Sequence, residues 1–201
     1  MKRSLSGISA KALAVVSALL LTACVSAPEI RVNVDESTDF SVFKTYGFIE
    51  PLGTDKAGYT TLVTKHLRQA VSQELEKRGY VYSSSPDLSV NFYTHLVNRT
   101  YITSAPTPVY YGGYYNYRHG IYGVYPGYAY RPYSYNYQEG TVNVDLVDTR
   151  KKQMVWEGIA VNEVGSQELN NPQQAFQKVI AAIFEHYPYR AGSSIPVQDG
   201  K

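Results

Sequence analysis

The chain holds a single cysteine, Cys24, among 201 residues. A monomer therefore has no internal disulfide and no multi-cysteine zinc site. Histidine is scarce as well: His66, His95, His119 and His186 include no pair at metal-ligand spacing. Each suits a structural role, His186 at the C-terminal end of a helix. There is no nucleophile elbow, phosphate-binding loop or zinc signature. Asp145 and Asp148 invite an acid–base reading, but Asp148 opens a turn, where a carboxylate accepts backbone N–H groups, and Asp145 falls on the polar face of a strand. The absences point away from an enzyme. No catalytic residue, metal or cofactor is expected.

The apolar run Ala12–Leu21 is too short to span a bilayer. It follows Lys2, Arg3 and Lys11 and ends in Leu21-Thr22-Ala23-Cys24, the pattern of a bacterial lipobox. Residues 1–23 are thus expected to be a lipoprotein signal peptide, with Cys24 the lipidated first residue of the mature chain. An ordinary secretory signal with a chance cysteine is the alternative. Once lipidated, Cys24 is no thiol nucleophile. The leader removes three positive charges, so the formal +2 becomes −1, and the pI near 8.5 belongs largely to the leader. Nucleic acid loses its electrostatic support as a partner. Val25 in place of aspartate after Cys24 points, by the general sorting rule for lipoproteins, to the periplasmic face of the outer membrane. Residues 24–29 form a short tether, reaching about 17 Å at most beyond the cysteine.

Ile30, Val32 and Val34 alternate with Arg31 and Asn33, and Thr45–Ile49 reads as a second strand closed by Pro51 and Gly53. Between Thr60 and Lys77 the apolar period lengthens to three and four residues through Leu62, Val63, Leu67, Ala70, Val71 and Leu75, which predicts a helix stopped by Gly79. After a short strand at Tyr80–Tyr82, Leu88, Val90, Phe92, Thr94 and Leu96 alternate with Ser89, Asn91, Tyr93 and His95. Val142, Val144 and Leu146 repeat the alternation, and Met154–Val161 is apolar on both faces apart from Glu157, which predicts an interior strand. Asn171-Pro172 starts a last helix whose buried stripe is Phe176, Val179, Ile180 and Ile183. The expected fold is α+β: a mostly antiparallel sheet of about six strands with two helices packed on one face. It forms a single domain over residues 30–188, followed by a disordered tail, 189–201.

Residues 104–138 break this pattern. From 106 to 138 lie 12 of the 20 tyrosines, with five glycines, four prolines and no acidic residue. The stretch is expected to be an insert at the tip of a hairpin with arms near 88–103 and 133–147, too rich in turn formers for long regular elements. It reads as a mobile loop, as an aromatic contact surface, or as a membrane-contacting segment; Arg118 and Arg131 are too few for strong electrostatic lipid binding. Tyr133, Tyr135 and Tyr137 share parity with Asn143 and Asp145. In one unbroken strand they face away from the helices; a bulge at Glu139-Gly140 would bury them. With the helices over Val90, Phe92, Val142 and Val144, the residues Asn91, Tyr93, His95, Asn143 and Asp145 share the uncovered face. Amide, phenol and carboxylate groups there suit a sugar or a peptide, and a plain solvated face is the alternative.

Asp35-x-x-x-Asp39-Phe40-Ser41-x-x-Lys44-Thr45-Tyr46, Pro86-Asp87-Leu88, Glu139-Gly140-Thr141-x-x-x-Asp145-x-x-Asp148 and Val155-Trp156-x-Gly158 occur in that order. Together they resemble the landmarks of bacterial domain-of-unknown-function family 4136, whose members are commonly lipoproteins. The resemblance implies a compact α+β domain in the cell envelope and carries over no activity, cofactor or catalytic residue. The tyrosine insert is longer and more aromatic than the family's usual loop. The expected function is a membrane-anchored envelope lipoprotein acting as a non-enzymatic binding or structural module, with an envelope protein or glycan as partner. The alternative is an envelope enzyme or soluble-ligand carrier with a site between sheet and insert.

Overall fold

The computed structural model describes residues 27–56 and 58–193. Cys24 and the leader lie outside the described residues, as do residues 194–201. The elements are β1 (Glu29–Val34), β2 (Thr45–Phe48), α1 (Leu62–Lys77), β3 (Val81–Tyr82), β4 (Leu88–Asn116), β5 (Ile121–Asp148), β6 (Gln153–Glu163), α2 (Ser166–Asn170) and α3 (Pro172–Glu185). One sheet of six strands runs in the order β1-β6-β5-β4-β2-β3.

The ladders β1–β6, β6–β5 and β5–β4 are antiparallel, whereas β2 is parallel to both β3 and β4. The parallel pairs correct the expectation of a mostly antiparallel sheet on that side. For β2 and β3 the cause is α1: a parallel neighbour needs a crossover, and α1 carries the chain from β2 back to the start of β3, from which residues 83–87 lead to β4 on the other side of β2. The short α2 is a third helix that apolar periodicity did not reveal. It is a single turn in which Glu168 accepts the Gly165 N–H at 3.0 Å.

Helix α1 begins where the Thr61 hydroxyl accepts the Thr64 N–H at 3.1 Å and ends before Gly79, whose φ of +86° suits a residue without Cβ. Its stripe Leu67, Val71 and Leu75 meets Ile180, Ile183 and Phe184 of α3 over Leu88, Val90, Phe92, Val144 and Leu146 of the sheet, all buried. Trp156 of β6 is 1 % exposed, with ring centroids 5.5 Å from Phe184 and 5.1 Å from Tyr187. Gly158 leaves room for that packing, since a Cβ there would meet Ile183 and the Trp156 ring.

Residues 189–193, placed in the tail by sequence, return to this core. Tyr189 stacks on Phe40 at 3.7 Å, and the Ala191 and Gly192 N–H groups donate to the carbonyls of Arg78 (3.0 Å) and Phe43 (2.9 Å). Aromatic stacking on a residue distant in sequence leaves no local periodicity by which to find it.

The larger correction concerns the insert. β4 and β5 stay paired from Leu88↔Asp148 out to Asn116↔Ile121, with one register shift between Tyr111 and Gly113. On one side β2 stops opposite Val90, and on the other β6 stops opposite Glu139. Beyond those points, among the described residues, two strands run on alone as a ribbon. Tyrosine favours extended backbone and cross-strand ring pairs, which explains the strands; the prolines need a separate account. Val90 C=O accepts from Ile49 N–H and Gln138 C=O accepts from Val164 N–H, so even-numbered residues of β4 and β5 turn their backbone groups away from the β4–β5 ladder. Pro106, Pro108, Pro126 and Pro132 are all even-numbered. None removes a donor from the ladder, and the ribbon tolerates all four.

Candidate functional site

The register through Glu139 and Gly140 is unbroken between β4 and β5, so Tyr133, Tyr135 and Tyr137 lie on the same side as Asn143 and Asp145. Across the ladder Tyr137 faces Arg99, Tyr135 faces Tyr101 and Tyr133 faces Thr103. The rings form a ladder: Tyr101 and Tyr135 centroids are 5.4 Å apart, Tyr135 and Tyr137 5.9 Å. Tyr133 is 59 % exposed and Tyr135 42 %, with Tyr137 half-buried. Farther out the parity changes. Tyr128 and Tyr130 are even-numbered, exposed, and opposite Pro108 and Pro106. The ribbon thus presents rings on one side near the sheet and on both sides toward its tip, where Tyr111 keeps the odd parity of Tyr133. Its base is tied by Arg99, whose guanidinium reaches the Glu139 carboxylate at 2.8 Å.

The uncovered sheet face is less available than its sequence pattern implies. Asn91 accepts the Gly53 N–H at 3.1 Å, and its amide N–H reaches Asp145 at 3.5 Å. Asn143 donates to Glu157 at 3.4 Å and Asn33 donates to the other oxygen of Glu157 at 2.8 Å. Tyr93 is exposed, but the loop after β2 lies on it; a Cβ on Gly53 would meet the Tyr93 ring at 2.8 Å. His95 is exposed opposite Thr141. Of the five face residues, Tyr93 and His95 are open to solvent, while the two amides and Asp145 are engaged within the sheet.

Glu157 was legible only as the one polar residue of an apolar strand. Register places it opposite Asp145. Burial raises the Asp145 pKa above the ordinary carboxylate value, the Glu157 charge raises it further, and the Asn91 amide works against both. Asp148, by contrast, is buried and accepts the N–H groups of Arg150 (2.8 Å) and Lys151 (3.1 Å), a turn role. Among the described residues no group of three or more His, Cys, Asp or Glu side chains is placed to hold a metal ion. His66 stacks on Phe176 and His186 caps α3, as structural residues do.

The other sequence landmarks also prove to hold the fold. Asp35 accepts from Ser37 and Thr38, and Asp39 from Ser41, each at the start of a turn. Asp87 accepts the N–H groups of Lys44 (2.9 Å) and Thr45 (3.0 Å) and the Thr45 hydroxyl (2.9 Å), stitching the start of β2 to that of β4. These bonds hold the Asp35, Asp39 and Asp87 carboxyls below their ordinary values.

Fold and landmarks together define a two-layer α+β domain with a projecting aromatic ribbon. The family described as a domain of unknown function, DUF4136, matches residues 30–189, and the chain belongs to that family. Among solved structures it is similar to a PDZ domain protein from Parabacteroides distasonis, at 16% identity and a TM-score of 0.52, over 80% of this chain and 35% of that one. It spans about a third of that protein, and the likeness shows the fold alone. A DUF4136 family protein from Bacteroides thetaiotaomicron is similar at 15% identity and a TM-score of 0.49, over 83% of this chain and 98% of that one. PelC from Paraburkholderia phytofirmans, solved as a dodecamer, is similar at 11% identity and a TM-score of 0.44, over 82% and 99%. No curated protein matches the chain.

Proposed function

We propose that this protein is a membrane-anchored envelope lipoprotein that acts as a non-enzymatic contact module, its contact surface being the ring-bearing faces of the ribbon with Tyr93 and His95 beside it. The observation that carries the reading is the ribbon: a long two-stranded element with exposed tyrosines, beyond the ends of β2 and β6. Isolated two-stranded hairpins are marginal in water, and tyrosine supplies broad amphipathic contact area with few rotatable bonds. The lipobox supports attachment through Cys24 at the periplasmic face of the outer membrane. The prolines favour contact by ring faces over contact by edges. Each strand carries two of them at outward-turned positions, where they interrupt the row of N–H donors that an added strand would need. The partner is then a surface that stacks on phenol rings, an envelope protein or a glycan, in place of a strand that extends the sheet.

Photo-crosslinking residues placed at Tyr133 or Tyr135 in intact cells should give discrete adducts, while one at the exposed Lys65 of α1 gives none. Equal labelling from all three positions, or none from the ribbon, would overturn the contact assignment.

A further inference from the structure

An apolar cavity of about 410 Å³ lies between the sheet and the helical layer, near the start of α3. Val142 and Ala160 form its floor, with Leu96, Val164, Phe176 and Val179 around them. The volume is within the range of about 300–1,000 Å³ usual for small-molecule sites. Its chemistry narrows the occupant. Aliphatic and aromatic side chains dominate, and the lining includes one carboxylate, Glu168, one imidazole, His95, and no lysine or arginine. Glu168 is already engaged with the Gly165 N–H. A free fatty acid would bring a second carboxylate here with no lysine or arginine to pair with it and only the solvent-exposed His95 imidazole nearby, an unfavourable arrangement. An acyl chain held through a neutral ester or amide brings none.

Chain direction says where such a group would come from. Glu29 pairs with Val161 and Ile30 with Ala160 of the cavity floor. Antiparallel register therefore directs the chain at Pro28 and Ala27 toward the end of β6 where Asn162 and Val164 line the cavity. Cys24 precedes Glu29 by five positions, a reach of about 17 Å when extended. We infer that the cavity receives one acyl chain of the lipid group on Cys24, docking the domain onto its own anchor. The inference rests on the proposed lipidation of Cys24. Its consequence is orientational: a domain held this way has a fixed side toward the membrane, and the ribbon projects from it in a defined direction.

Intact-mass measurement of the full chain purified from membranes separates the two levels. An unacylated Cys24 overturns the lipoprotein reading and removes the proposed occupant with it. With acylation established, the full chain and its Cys24→Ser variant, both freed of loose lipid, are titrated with a neutral acyl probe, nitrobenzoxadiazole-labelled dodecanamide. The Cys24→Ser chain should bind one probe, and the lipidated chain should bind it about tenfold more weakly or worse, because its own acyl chain competes. Palmitate should bind the Cys24→Ser chain more weakly than the neutral probe does. Adding Ala175→Trp to fill the cavity, or Leu96→Arg at an exposed rim position should the first fail to fold, should cut probe affinity about tenfold with an unchanged melting temperature. No binding to the Cys24→Ser chain overturns the cavity as an acyl site. Equal binding to lipidated and unlipidated chains overturns the anchor as its occupant.

Discussion

The body of the domain and its ribbon use the same two strands in opposite ways. In the body β4 lies between β2 and β5 from Leu88 to Val90, and β5 lies between β4 and β6 from Gly140 to Asp148; one face lies under α1 and α3, and the other is crossed by amide–carboxylate bonds. Farther out the same ladder continues, among the described residues, with no helix over it and no third strand beside it. In the body, Asp87, Asp148, Trp156 and Gly158 each have a partner whose loss would disturb the fold. In the ribbon, Tyr101, Tyr135 and Tyr137 pack on one another, and Tyr111 and Tyr122 lie over the glycines Gly127 and Gly113. The landmark residues of the body are therefore residues that hold the fold, and the ribbon is where Tyr133, Tyr135, Tyr128 and Tyr130 are exposed.

That division predicts unequal sensitivities. The largest should be at Trp156, whose ring is enclosed by Phe184 and Tyr187. Trp156→Ala should cost about 3–5 kcal/mol of stability, read by denaturant unfolding; a loss below about 1 kcal/mol would show that the body has a second, independent core. A smaller effect of opposite sign is expected at Asp145. Its carboxyl titrates above the ordinary value of 3.8 in the folded protein, so the folded state holds that proton more tightly than the unfolded chain does. Stability from this group is present at low pH and lost as pH rises through the raised value. Asp145→Asn should thus be more stable than the parent at pH 7, by about 0.2–1 kcal/mol, the range for cross-strand pairs. The advantage should disappear as the pH falls below the ordinary carboxylate range. A destabilised Asp145→Asn at pH 7 would mean that the charge itself is needed on that face.

The two regions also differed in how legible they were. The two long helices α1 and α3 and the longer strands of the body followed from period, because each buries one face and water-facing residues alternate with apolar ones, whereas α2 buries no residue and left no such mark. Parallel pairing of β2 was hidden, since a crossover leaves no mark in strand periodicity. The returning residues 189–193 were hidden because Tyr189 finds Phe40 through stacking. In the ribbon, glycine and proline content pointed to a loop and outweighed the β preference of tyrosine. The parity of Pro106, Pro108, Pro126 and Pro132 was the available signal: prolines restricted to alternate positions fit two strands whose inward donors are intact. At the candidate site, the run from Tyr133 to Asp145 was readable from parity. The engagement of Asn91 and Asn143 was not, because their partners Gly53 and Glu157 come from other segments.

The separation of folding from contact is tested most directly by removing the ribbon and melting what remains. Arg99 and Tyr137 face each other in the ladder, so residues 100–136 can be replaced by a two-residue Asn-Gly turn that closes the hairpin at that pair. Stability resident in the body predicts a melting temperature within about 2 °C of the full chain, no more than the shift expected for about 1 kcal/mol in a domain of this size. A fall of about 10 °C or more would contradict it, and would place the tyrosines among the residues that hold the fold.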